Sequence, residues 1–225
     1  MANTKRVSTD DILLMLCQSV TGVLNSATGG EIGYSAMVQK INKTCLKPDI
    51  GCFVLFDGGF SGLIVINFTA AAALEIYRDY LTNMGIPEGE LASQHTADEV
   101  SNVLGELMNQ IVGDFTGKVG HELLTSISQN QPRMLVINKE VMLSVNTNLD
   151  RPQSRRVTFH TASHNIFYLE MAVDRTEFIE LHAFERGEKA NPDRIIEESR
   201  NRTAAGREAS DEAAVDTALL EELGI

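Results

Sequence analysis

The chain has 225 residues, 43% of them hydrophobic, and carries 31 Asp and Glu against 19 Lys and Arg, a formal charge of −12. That much apolar content supports a buried core and excludes wholesale disorder. The acidity excludes a phosphate-backbone binder, whose affinity comes from clustered Lys and Arg, so the expected partners are proteins or small molecules and not nucleic acid.

Ser8, Thr9, Asp10 and Asp11 read as a helix start, and Ile12, Leu13, Leu16, Val20, Val23 and Leu24 follow at helical spacing to about residue 25. No apolar h-region precedes them and no run approaches the ~18 apolar residues of a membrane span, so a cytoplasmic protein without membrane insertion is expected. Cys17, Cys45 and Cys52 are an odd count without CxxC spacing, which indicates neither a disulfide framework nor a zinc site. After a poorly patterned stretch with strand-like pieces come two clear strands, Cys52 to Phe56 and Phe60 to Phe68, flanking a turn at Asp57-Gly58-Gly59. Thr69 caps a second helix, Ala70 to Met84, which Gly85 and Pro87 end.

The third helix is expected to open at Thr96 with Glu99 completing a capping box, and to carry Val100, Leu104, Leu107, Met108, Ile111 and Phe115 on its apolar face. A shorter helical piece, His121 to Ile127, should lead to a strand around Met134 to Ile137. Alternation then predicts strands at Val157 to Thr161, Ile166 to Val173 and Glu177 to Leu181, the first turning at Ala162-Ser163-His164-Asn165. The short connections make them antiparallel. The expected fold class is α/β (α+β): a largely antiparallel sheet covered by two to three helices.

Composition changes after Phe184. Residues 185–225 hold 11 acids and 6 bases, with a helix start at Asn191-Pro192, and from Glu208 to Ile225 there are six acids and no Lys or Arg. The chain divides into a body, residues 1–184, and an acidic tail, residues 185–225, partly helical or disordered.

With Leu104 at zero on a helical wheel and 100° per residue, Asn102 falls at about 160°, Glu106 at about 200°, Asn109 at about 140°, Gly113 at about 180° and Gly117 at about 220°. With Glu99 at about 220°, a stripe of Glu, Asn, Glu, Asn, Gly and Gly runs opposite the core. Acids on a solvent face need no explanation. The glycines do, because each exposed glycine costs a helix about 1 kcal/mol relative to alanine. Either they admit close approach by a partner beside Asn109, or they pack under a loop or in a dimer interface.

Gly105-Glu106-Leu107-Met108-Asn109, followed by Pro132 with 22 residues between Asn109 and the proline, resembles the ExxN signature of the CheC, CheX and FliY phosphatases of bacterial chemotaxis. The hairpin Asp57-Gly58-Gly59-Phe60-Ser61-Gly62-Leu63 is similar to the Gly-Gly-x-x-Gly hairpin of CheX. The resemblance covers roughly Cys52 to Leu143 and implies a CheX-like fold and hydrolysis of the aspartyl phosphate of a CheY-like response regulator. It implies that Glu106 and Asn109 are catalytic, with Asn102, Gly105, Gly113 and Gly117 supporting or docking. Asn102 departs from the Asp or Ser usual at its position. Two-site members carry a second ExxN on the first helix, where Met15 and Gln18 stand here, so one site is expected, as in CheX.

By the same resemblance the protein has no cofactor of its own, the divalent metal belonging to the receiver-domain substrate, and an edge-strand homodimer is expected. The end of the tail resembles the acidic CheY-binding peptide of FliM, with Val215, Asp216, Leu219 and Leu220 as anchors. The rival readings are a non-catalytic receiver-binding or flagellar-switch scaffold of the same fold, and a sensory module with an internal pocket. His160 and His164 bracket a strand end and turn and give no metal site. No GxSxG elbow, P-loop or dinucleotide fingerprint is present.

Overall fold

The computed structural model describes residues 6–145 and 147–179. In chain order the elements are β1 (Arg6–Val7), α1 (Thr9–Thr28), β2 (Gly33–Ile41), β3 (Thr44–Leu46), β4 (Ile50–Gly58), β5 (Gly62–Phe68), α2 (Ala70–Asn83), α3 (Asp98–Leu123), β6 (Ile127–Gln129), β7 (Arg133–Val136), β8 (Leu143–Val145), β9 (Gln153–His160), β10 (Ile166–Val173) and β11 (Phe178–Ile179). A seven-stranded antiparallel sheet runs β2-β9-β10-β5-β4, with β6 and β7 both pairing the outer side of β4. The fold class is the expected one.

All seven residues of β5 are buried, because the strand lies between β4 and β10 and both its faces are covered. Ile64, Ile66 and Phe68 join the core under the helices, while Leu63 and Val65 join a second cluster with Leu46, Ile137 and Ala172 on the opposite face. Phe68, Phe167 and Phe159 stack in sequence at 5.2 and 5.0 Å beneath the helical layer. The opposite face is covered by the β3–β8 ribbon.

Two buried polar side chains tie that ribbon down. Asn67 Oδ1 accepts from Lys47 N at 2.7 Å, and its Nδ2 donates to Cys45 O at 2.9 Å. Glu170, fully buried, accepts from Cys45 N at 2.9 Å and pairs with Arg156 at 2.8 Å and Lys47 at 3.5 Å. A buried carboxylate is tolerated because it is paired and hydrogen-bonded on both oxygens.

The hairpin glycines fix where α3 ends. Gly58 has φ 144°, a conformation that strains any L side chain, and a Cβ there would collide with the Ser126 carbonyl. A Cβ on Gly59 would run into the Thr125 side chain, and Gly59 N instead donates to Ser126 O at 3.0 Å. The backbone leaving α3 thus lies directly on the hairpin before entering the sheet as β6.

Several expectations are corrected. The β4–β5 loop is Gly59-Phe60-Ser61, so Asp57 and Gly58 still belong to β4 and Phe60 to the loop. No side chain caps α3: Ala97 occupies the cap, and Asp98 and Glu99 in the first turn favour the helix dipole instead. No separate helix forms over His121 to Ile127; α3 continues to Leu123, and Ile127 begins β6. The region before β4 contains β2, an edge strand with mostly exposed side chains on both faces, and its lack of alternation follows from that exposure. The proposed tail, residues 185–225, lies outside the described residues, as do the anchors Val215, Asp216, Leu219 and Leu220.

Candidate functional site

Helix α3 buries Val100, Leu104, Leu107, Met108, Ile111, Val112, Phe115 and Val119 against the sheet and the other helices, which sets its rotation. On the face this leaves outward, Asn102, Glu106, Asn109, Gly113 and Gly117 are all exposed. Glu106 and Asn109, three residues apart on one helix, have Cβ atoms about 5–6 Å from each other. A Cβ added to Gly113 or Gly117 would meet nothing within 4 Å, so neither glycine packs under a loop among the described residues. Gly105 is half-buried, and a Cβ there would make ordinary contact with Met134 Cγ of β7 at 3.5 Å.

Two side chains that the stripe did not include also bear on the site. Gln110 Nε2 donates to Glu106 Oε1 at 3.3 Å, an i,i+4 pair one helical turn apart. Lys118 binds Asp114 on its own helix and Ser19 Oγ of α1 at 3.1 Å, which holds the two helices together beside the stripe. Burial of Asp114 pushes its pKa up, but hydrogen bonds from Lys118 and Ser19 outweigh that and bring it below the ordinary carboxylate value.

On α1, Met15 is half-buried and Gln18 exposed, and both line a groove of about 330 Å³ with Leu14 and Lys118. The first helix therefore presents an amide and a thioether but no carboxylate where a second ExxN pair would stand. Two further cavities, of about 420 Å³ at the base of the β4–β5 hairpin and about 600 Å³ beside α2, are lined by neither Glu106 nor Asn109. The stripe is a bare, outward-facing helix surface that lines none of these cavities.

Among the described residues no group of three or more His, Cys, Asp and Glu side chains is placed to hold a metal ion. His160 and His164 stack at 6.5 Å on the β9–β10 hairpin, far in sequence and in element from α3. Among the same residues no helix is long and apolar enough to cross a membrane.

The family described as "Protein of unknown function (DUF3334)" matches residues 3–225. No curated protein matches the chain. Among solved structures, the chemotaxis protein CheX from Desulfovibrio desulfuricans is similar, with 18% identity over 73% of this chain and 99% of that one and a TM-score of 0.61. A CheC-like superfamily protein from Shewanella sp. PV-4 gives 17% identity, 75% and 99% coverage and a TM-score of 0.61. The CheX–CheY–BeF3–Mg complex from Borrelia burgdorferi gives 17% identity, 73% and 98% coverage and a TM-score of 0.55. The fold is that of the CheX, CheC-like and FliY proteins, as the ExxN and hairpin residues implied.

Proposed function

This chain belongs to the DUF3334 family, whose description assigns no activity, and we propose that it dephosphorylates the aspartyl phosphate of a CheY-like response regulator, using one site on α3. The observation that carries the reading is the coincidence of an exposed Glu106–Asn109 pair with two side-chain-free helix positions, Gly113 and Gly117, on the same face. The Borrelia protein of like fold is seen with CheY, a beryllium fluoride and magnesium. That is support by analogy of fold.

An aspartyl phosphate is an activated mixed anhydride, and the receiver domain that bears it supplies a divalent metal and a lysine to neutralise charge at phosphorus. What it lacks is a water held in line with the scissile P–O bond. Asn109 holds that water: its amide both donates and accepts, and being neutral it adds no charge beside the phosphoryl group. The water oxygen attacks phosphorus, the bond to the aspartate oxygen breaks, and inorganic phosphate departs with the aspartate left as carboxylate. No general base is required.

Glu106 pairs with the receiver lysine and sets the register that brings Asn109 over the phosphoryl group. Gly113 and Gly117 let the partner's loops settle on the helix, and Asn102 flanks the site on its N-terminal side. No cofactor of the protein's own enters the reaction.

The test is phosphate release from the organism's own receiver domains after labelling with acetyl phosphate. Asn109→Ala is expected to lower the rate by about 10²-fold or more with binding retained, since it removes positioning alone. Glu106→Ala should instead raise KM about fivefold, the worth of a solvent-accessible ion pair. Full activity in Asn109→Ala would remove the mechanism. Binding without release in the unaltered protein would favour a receiver-binding scaffold of the same fold.

A further inference from the structure

Gln110 has no part in the hydrolysis described above, yet its side chain is committed to the site. Its amide nitrogen donates to Glu106 Oε1 at 3.3 Å, from a position about 40° round the helix wheel from Glu106 and adjacent in sequence to Asn109. An unrestrained glutamate on an exposed helix face samples several rotamers and loses that freedom when it pairs. A donor one turn toward the C-terminus selects the rotamers in which the carboxylate lies over the Asn109 turn.

We infer that Gln110 is a positioning residue, which holds the Glu106 carboxylate over the Asn109 turn to receive an ammonium. The inference rests on the proposed docking of Glu106 with a receiver lysine. The Gln110 amide engages Oε1, and the remaining lone pairs of the carboxylate stay available to a partner's donor. An ammonium has three N–H donors and no acceptor, and can pair with the carboxylate while the Gln110 hydrogen bond is kept.

The test is a double-mutant cycle in the phosphate-release assay, with receiver binding measured alongside and helicity and Tm checked by circular dichroism. Gln110→Met keeps length and helix propensity and removes the donor and acceptor. It is expected to raise KM about two- to threefold with kcat unchanged, and to have no effect in a Glu106→Ala background. Gln110→Lys should raise KM further at low salt, to at most about the fivefold of Glu106→Ala, because an internal ion pair competes for the carboxylate, and the effect should shrink as salt rises. An equal effect of Gln110→Met with and without Glu106, or none in either, overturns the assignment while leaving the phosphatase reading intact. If the unaltered protein neither binds nor hydrolyses the phosphorylated receiver, the phosphatase reading falls and this assignment falls with it.

Discussion

Gly113 and Gly117 are the residues at which stability and a docking role part company. Neither is forced to be glycine by a neighbour, since a Cβ at either meets nothing within 4 Å, and neither carries a positive φ. Gly113→Ala is therefore expected to stabilise the fold by about 1 kcal/mol, raising Tm by about 2–4 °C. Gly113→Leu should also fold, but should lose receiver binding if the bare helix face is the contact. A Gly113→Leu protein that is stable and binds normally would show that the face is not used. The cysteines make a different prediction. Burial pushes the Cys17 and Cys52 thiols up to about 12, so neither is expected to react with iodoacetamide in the native protein at pH 8. Rapid native labelling at either position would mean that the core opens locally. Labelling after denaturation should be complete.

Individual elements are held in register by groups remote in sequence. Helix α3 ends where the β4–β5 hairpin receives the Thr125–Ser126 backbone, so Gly58→Ala acts on the helix terminus as well as on the turn. A cost of about 1–3 kcal/mol is expected, from a strained positive φ and the collision with the Ser126 carbonyl, read as a lowered urea midpoint. Helix α2 is tied to the β9–β10 turn through Glu75, which accepts from Thr161 Oγ1 at 2.5 Å, Asn165 Nδ2 at 2.7 Å and Ser163 N at 3.0 Å. Partial burial pushes the Glu75 pKa up, but these hydrogen bonds outweigh it and bring the group below its ordinary value of 4.5. A carboxylate whose folded pKa is depressed contributes stability above its unfolded value and loses it as pH falls through the folded one. The stability gap between the unaltered protein and Glu75→Gln should therefore be fully open at pH 7 and close as the pH falls below 4.5. A gap that is constant with pH would show that ionisation of Glu75 is not what holds the turn.

On the scale of the molecule, every buried hydrophobic residue among those described lies between Val7 and Val173. A chain ending at Glu180 is therefore expected to keep a single cooperative thermal transition, and loss of cooperativity would show that the body needs the remaining residues. The formal charge divides as well: residues 185–225 carry −5 of the −12, leaving −7 on the first 184 residues. If the proposed function holds, steering of an acidic receiver toward such a body is local to the α3 face. The same contrast governs how legible the fold is in the sequence. The three helices, β5 and β10 could be read directly, because a helix closes its hydrogen bonds within four residues and β5 is an apolar run interrupted only by Asn67. Edge strand β2 could not, since little of it is buried, and nor could β3 and β8, whose three-residue length leaves no period to detect.

Sequence by itself determined the composition of the α3 stripe. The spacing that puts Asn102, Glu106, Asn109, Gly113 and Gly117 on one face is a property of the helix repeat, and the apolar residues opposite specify which way it turns. Tertiary structure alone decided that this face stays uncovered among the described residues and that Gly58 and Gly59 receive the chain leaving α3. It also decided the fate of Glu170, whose buried charge is satisfied by Cys45 N, 125 residues away, and by Arg156 on the neighbouring strand. Local hydrogen bonding and periodicity are written into short stretches of chain. Exposure and long-range pairing depend on how the stretches pack, and so are settled only when the whole sheet and its covering layers assemble.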